Sequence, residues 1–202
     1  EGVAFYTGSL EGEDGLGAGK LLYALAEKRC GQFNTCATTG RSQINNEIFG
    51  HFSQGQTLLS QSDCSGAGLL IEKIISLSYV PLIQGMLRYA YYADPKGSYT
   101  GSSTEGAKEV AEGWAFAAAV LPAIANCDAD AAKIIRDNMD ISASSPVSSG
   151  YDAVLKAVQS TYKCLGINCD QVGALSDPND AEKIILAKCD NAALGIGTEP
   201  GL

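Results

Sequence analysis

This sequence predicts an all-α fold: one domain over residues 1–202, stapled by disulfides and built from two related halves of about 110 residues, approximately 1–111 and 112–202. Three observations predict it. Apolar residues recur at spacings of three and four, 27 alanines fall largely in runs, and no sustained strand-type alternation appears. Two short runs recur at nearly one offset. Glu1-Gly2-Val3-Ala4-Phe5 returns 111 residues later as Glu112-Gly113-Trp114-Ala115-Phe116, and Glu72-Lys73-Ile74-Ile75 returns 110 residues later as Glu182-Lys183-Ile184-Ile185. The third observation is seven cysteines beside one histidine, with no C-x-x-C pair, which disfavours structural zinc and favours disulfides in an oxidising compartment.

The elements follow in order. Residues 19–29 form an amphipathic helix with Leu22, Leu25 and Ala26 on one side, stopped near Cys30-Gly31. A second helix spans 42–59. The longest, 67–93, contains Pro81, which removes a donor and should kink or split it. Residues 104–125 follow, with Thr104 as N-cap and Glu105 in the first turn. Helices at 128–139, 151–164 and 179–193 complete the set, capped by Asp128 and by Asp177 or Asn179. Gly/Ser-rich connections fall at 95–103 and 142–150. The most apolar stretch, 114–125, has 12 residues and carries Pro122, so it reads as a buried helix and no membrane span is expected. The opening Glu1-Gly2-Val3 lacks a signal-peptide pattern. Because EGVAF begins the chain where EGWAF sits inside a helix, the sequence is expected to be a processed piece of a longer precursor.

The net charge of −9 repels phosphate backbones and anionic lipid, which disfavours nucleic acid and membrane-surface partners and suits cations. Enzyme motifs fail on residue types. Gly15-x-Gly17-x-Gly19-Lys20 has Leu21 where a phosphate loop needs a hydroxyl, and Ser160-x-x-Lys163 lacks companion motifs. His51 has no G-x-S-x-G serine to serve and reads as a packed or partly exposed helix residue.

The oxygen-rich constellation is more informative. Glu105, Glu109 and Glu112 fall at i, i+4 and i+7, on one helical stripe. Upstream, Arg88 lies one turn from Tyr92, with Tyr89 and Tyr91 beside it. Carboxylate and phenolate oxygens suit hard cations, and an arginine nearby can anchor a small anion such as carbonate. If Pro81 and the 95–103 connection let the two helices fold back antiparallel, Glu112 and Tyr89 or Tyr92 become direct ligands, Glu109 a ligand or a base behind them, and Arg88 the anion anchor. Glu105 completes the stripe, and Glu1 supplies the equivalent carboxylate of the other half. Against this, glutamates on a helix stripe are usually solvated and tyrosines at helical spacing usually line a core edge. For the cysteines, the close pairs Cys30–Cys36 and Cys164–Cys169 are the expected staples, leaving one of seven thiols free or paired outside the chain.

Residues 80–91 (VPLIQGMLRYAY) and 111–122 (AEGWAFAAAVLP) resemble the low-iron-inducible periplasmic proteins of algae, iron-assimilation proteins related to the phytotransferrins. Leu22-Tyr23-Ala24-Leu25-Ala26, Lys28-Arg29-Cys30, Cys164-Leu165-Gly166-Ile167-Asn168-Cys169 and Val172-Gly173 extend the resemblance over most of the chain. It implies a secreted, cell-surface or periplasmic protein that binds ferric iron with carbonate and has no catalytic turnover. The family's E-x-x-E motif maps onto Glu109-Val110-Ala111-Glu112. Family members tend to be longer, so half a site can lie outside this chain. The alternative expectation is a metal-free structural or scaffold protein of an algal surface, partnered by other surface proteins or by its own copies.

Overall fold

In the computed structural model, which describes residues 1–11, 17–95, 103–177 and 180–197 (without the side chains of 103–106 and 181), nine helices and two strands are present among the described residues. The chain is mostly helical, at 65% helix against roughly a third in ordinary domains, and carries one two-stranded sheet. It divides into two compact units: Glu1–Pro81 with Asp170–Cys189, and Leu82–Cys169 with Asp190–Leu202.

In the first unit, α1 (Gly2–Thr7), α2 (Leu22–Phe33) and α3 (Gln43–Ser60) precede the start of α4 (Cys64–Ala93). Asn34 ends α2 in the left-handed region, φ 55°, where its backbone N–H reaches back to the Cys30 carbonyl. Ser42 starts α3 by accepting from the Asn45 N–H, which satisfies one of the orphan donors of the first turn. Tyr6, Ala26, Phe33, Ile44 and Ile48 form the core between these helices. β1 (Leu175–Asp177) packs on α2 and pairs antiparallel with β2 (Asp180–Leu186), with Leu175 opposite Leu186 and Ser176 opposite Ile184.

That hairpin corrects the sequence reading, which placed a helix over 179–193. Ile184-Ile185-Leu186 include good strand formers, and β1 supplies the pairing partner. Asp177 therefore lies in β1 and caps no helix, and Asn179 lies outside the described residues. The second EKII run is strand while the first, Glu72–Ile75, lies inside α4. The two EGxAF runs are both helical, one at the start of α1 and one in the middle of α5.

In the second unit, the C-terminal part of α4 meets α5 (Ser103–Cys127), followed by α6 (Ala129–Met139), α7 (Tyr151–Gln159) and the short α8 (Tyr162–Leu165). α4 runs through Pro81 without splitting. Two glycines set the approach of α4 and α5. A Cβ on Gly85 would stand 2.7 Å from the Phe116 ring, and one on Gly113 would stand 3.1 Å from the Tyr89 Cβ. The pairs 85/116 and 89/113 run in opposite senses, so the helices pack antiparallel. Gly85→Ala is expected to destabilise the protein by about 2 kcal/mol through overpacking, read as a lower denaturation midpoint at unchanged m-value.

Asp128 caps α6 as expected, accepting from the Asp130 and Ala131 N–H groups at 2.9 and 3.0 Å. The 142–150 connection is tied to α6, because Asn138 accepts from the Ser149 N–H through its side chain and from the Val147 N–H through its carbonyl. Thr104 lies inside α5, whose first described helical residue is Ser103, and its side chain and most of the 95–103 connection lie outside the described residues. α4 and the 107–127 stretch of α5 are each long and apolar enough to cross a membrane. Segment length therefore does not exclude a span, contrary to the reading from the 114–125 run. Val80, Ile83, Met86 and Leu87 of α4 and Val120 and Ile124 of α5 are fully buried, as core residues of helices are.

Three disulfides are present. Cys30 pairs with Cys36, as expected. Cys164 pairs with Cys127, not with Cys169. Gly166, in the left-handed region at φ 71°, ends α8 so that Cys164 faces the end of α5, its Cα 5.8 Å from that of Cys127. Cys169 and Cys189 are disulfide-bonded as well, which leaves Cys64 as the free, exposed thiol.

Candidate metal centre

The antiparallel packing of α4 and α5 does bring the Arg88–Tyr92 stretch beside the helix that carries Glu109 and Glu112. The side chains are largely committed elsewhere. Tyr89 is buried and stacks on Phe116, with ring centroids 5.7 Å apart and planes 7° from parallel. The Arg88 guanidinium lies over the Tyr92 ring, 4.5 Å from its centroid, a cation–π contact. Glu112 makes an exposed ion pair with Lys108 at 3.8 Å. Glu109 is half-buried on the same helix, and the side chain of Glu105 lies outside the described residues. Glu1 is exposed and belongs to the other unit. Among the described residues, no three His, Cys, Asp or Glu side chains converge on one point.

A denser polar constellation sits in the first unit, and sequence reasoning missed it. Tyr23 and Glu27 stand one turn apart on α2. Arg41 and Ser42 lie just before α3, and Asn45 lies in its first turn. The Tyr6 hydroxyl donates to Asn45 Oδ1 at 2.6 Å. The Asn45 amide donates to Glu27 Oε1 at 2.6 Å and to the Tyr23 carbonyl at 3.1 Å. The Ser42 N–H points at both Glu27 oxygens, 3.3 Å from each. Arg41 closes the circuit, donating to the Tyr23 hydroxyl and placing Nε 3.4 Å from Glu27 Oε2.

Two phenols and a carboxylate are thus held within electrostatic reach of one another, with a single guanidinium as counter-charge. Tyr6, Tyr23, Ser42 and Asn45 are buried, while Glu27 and Arg41 keep about a quarter of their side chains exposed (21% and 26%). Burial first, then the Glu27 charge and Tyr23, push the Tyr6 phenol well above its ordinary pKa. Phe49 and Phe52 wall the phenols. The Phe49 ring lies edge-on to Tyr6 and Tyr23, at 6.3 and 5.8 Å between centroids. His51, also on α3, is held below its usual pKa by burial and by the charge of Lys73, and it takes no part in this circuit.

The set offers phenol and carboxylate oxygens beside one guanidinium, each of them already hydrogen-bonded or ion-paired within the circuit. Phenolate and carboxylate oxygens are hard donors, so they suit a highly charged, oxygen-seeking cation that can displace phenolic protons. Arg41 can then turn from neutralising Glu27 to anchoring a small anion. The Tyr23/Glu27 spacing of four was the signal available in the sequence. No protein-family model, curated protein or solved structure matches the chain.

Proposed function

We propose that the protein binds ferric iron, with carbonate as the accompanying anion, and serves iron assimilation outside the cytoplasm without catalytic turnover. One observation carries this reading: the closed circuit Tyr6–Asn45–Glu27–Arg41–Tyr23, which gathers two phenols, a carboxylate and an anion anchor in a partly buried place. Three disulfides support an oxidising compartment, such as a periplasm or cell surface. The acidic net charge favours accumulation of cations. The alternative location for the ion is the sequence-derived set on α4 and α5, Arg88, Tyr89, Tyr92, Glu109 and Glu112 with Glu105, where Tyr89 is stacked on Phe116 and Glu112 is paired with Lys108. A duplicated origin belongs to the same reading. At both EGxAF glycines a Cβ would be crowded, standing 3.3 Å from the Phe52 ring at Gly2 and 2.7 Å from the Met139 methyl at Gly113.

The test is a titration of the purified chain with ferric nitrilotriacetate and bicarbonate, followed by the visible phenolate-to-iron charge-transfer band. Tyr23→Phe is expected to weaken the band and lower affinity about tenfold, the loss of one phenolate ligand, about 1.4 kcal/mol. Glu112→Ala is expected to leave both unchanged. The reverse pattern assigns the ion to α4 and α5. Binding should also fall on acidification, because protons compete for every ligand.

The second reading is a metal-free structural or scaffold protein of a surface, partnered by other surface proteins or by its own copies. The observation that favours it is that Arg41 already neutralises Glu27, so the circuit is internally satisfied without an ion. Absence of any charge-transfer band at saturating ferric nitrilotriacetate selects it.

A further inference from the structure

α4 begins at an exposed thiol. The Asp63 carboxylate caps the helix, accepting from the Gly66 N–H at 2.8 Å, so Cys64 stands in the first turn. Cys64 is free, whereas the other six cysteines are disulfide-bonded. A compartment that forms those bonds leaves this one thiol on the surface with no partner in its own chain. The helix that follows is apolar on two sides. Ala67, Leu70, Leu77 and Val80 are buried, and the opposite side of such a helix is ordinarily polar. Here Leu69, Ile71 and Ile75 are 64%, 56% and 48% exposed.

Cys64, Gly68, Ile71 and Ile75 follow one another at spacings of four, three and four, within about 60° of the helix circumference. That is the seam spacing of a two-stranded parallel coil. Between residues 64 and 82 the only charged residues are Glu72 and Lys73, adjacent and opposite in sign. In a chain of net charge −9, this is a face on which two copies meet without repulsion. Gly68 fits the same contact. A Cβ there would meet nothing within 4 Å among the described residues, whereas one on Gly66 would stand 2.5 Å from the Asp63 carboxylate. A disulfide between two helices needs Cα atoms within about 7 Å of each other, nearer than the usual 8–10 Å between packed helix axes. A glycine one turn from the thiol permits that approach.

We propose that the chain forms a covalent homodimer: two copies lay the Cys64–Gly68–Ile71–Ile75 seams of α4 side by side, parallel and in register, and join through a Cys64–Cys64 disulfide. Iron binding has no part in it. A two-fold axis along the seam sets each residue against its own copy. Two half-exposed isoleucines bury far less than the ~800 Å² per partner of a stable interface, so the seam aligns the thiols and the disulfide holds the pair. The bond forms by exchange with a small disulfide such as oxidised glutathione. The Cys64 thiolate of one copy attacks it, which leaves a mixed disulfide and releases one glutathione thiolate. The Cys64 thiolate of the second copy then attacks the protein sulfur of that mixed disulfide, and the second glutathione thiolate leaves. The two protons lost by the Cys64 thiols end on the two glutathiones, which have gained two electrons.

Metal-free full chain incubated with oxidised glutathione at neutral pH tests this. On a non-reducing gel, wild type is expected at twice its 21.0 kDa, with a Cys64–Cys64 peptide in its digest. Cys64→Ser should stay monomeric. In the Cys64→Ser background, Ile71→Cys is expected to cross-link to its own copy at least tenfold faster than Leu69→Cys, which is more exposed but lies off the seam. Ile75→Asp should slow wild-type dimer formation at least tenfold at unchanged far-UV dichroism. A wild type that stops at the mixed disulfide overturns the proposal, as do equal cross-linking rates at positions 69 and 71. Co-sedimentation of wild type, but not of Ile75→Asp, with phosphatidylcholine vesicles would assign the face to a membrane and overturn it too. Should Ile75→Asp not fold, the comparison of positions 69 and 71 decides alone.

Discussion

Glu27→Gln should lower ferric affinity by at least a hundredfold, about 2.7 kcal/mol, the largest effect expected of any single change at the centre. Glu27 is the carboxylate of the circuit and touches three groups, the Asn45 amide, the Ser42 N–H and Arg41, while Asn45 links it to Tyr6. Glutamine keeps the volume and one acceptor but loses the charge that a trivalent ion needs, and its amide now faces Arg41. Losing the carboxylate also exposes any bound ion to the Arg41 guanidinium as an unscreened like charge. Folding stability should fall less, by about 1–2 kcal/mol, because Arg41 keeps its bond to the Tyr23 hydroxyl and a quarter of its surface in water. The two effects are separable by measuring ferric titration and the denaturation midpoint on the same preparation. A variant that loses two kilocalories of stability but binds ferric ion as wild type does would move the ion away from this circuit. The companion change Asn45→Ala would then distinguish a ligand role from a scaffold role, since it removes the Tyr6 acceptor without touching the carboxylate.

What could be read in advance was local, and what could not was tertiary. The helices of residues 42–59 and 128–139 followed from spacing, the second also from its Asp128 cap, whereas the helix expected over 151–164 is interrupted at residues 160–161 and forms α7 and α8. The run Glu182–Leu186 has the composition of Glu72–Ile75, yet one is strand and the other helix, since only the former has β1 as a neighbour. Local sequence carries no sign of that neighbour. The Cys30–Cys36 bond was legible because a six-residue separation across a helix end leaves little choice. Cys164 was not legible, because the turn at Gly166 aims it at a residue 37 positions upstream. The same division holds for the candidate site. The acidic stripe Glu105-Glu109-Glu112 stood out because all three lie on one helix, whereas the Tyr6–Tyr23–Glu27–Arg41–Asn45 circuit draws on α1, α2 and the entry to α3. Each of its members alone reads as an ordinary surface or core-edge residue.

Gly173→Ala is expected to be strongly destabilising, costing about 4 kcal/mol. Gly173 sits at φ 80°, where a Cβ is strained in any surroundings. Here the surroundings are occupied as well: the added carbon would stand 2.2 Å from the Phe33 carbonyl oxygen and 2.4 Å from the Thr35 Cγ2. Neither can yield cheaply, because the Phe33 carbonyl accepts from the Ala174 N–H at 2.9 Å, and Phe33 itself is fully buried. Asn34, which donates to the Ala174 carbonyl at 3.1 Å and to the Ser176 hydroxyl at 2.7 Å, would be displaced with them. Strain of about 1–2 kcal/mol, overpacking of about 1–3 kcal/mol and a weakened backbone bond of about 1 kcal/mol together give that estimate. Gly31→Ala is the matched control. It lies inside α2 with open space where its Cβ would go, so it should raise stability by about 0.5–1 kcal/mol through helix propensity alone. Chemical denaturation of both variants, with amide exchange at Ala174, reads the contrast directly. Equal, small effects at the two glycines would mean that the 173–176 segment does not grip the end of α2.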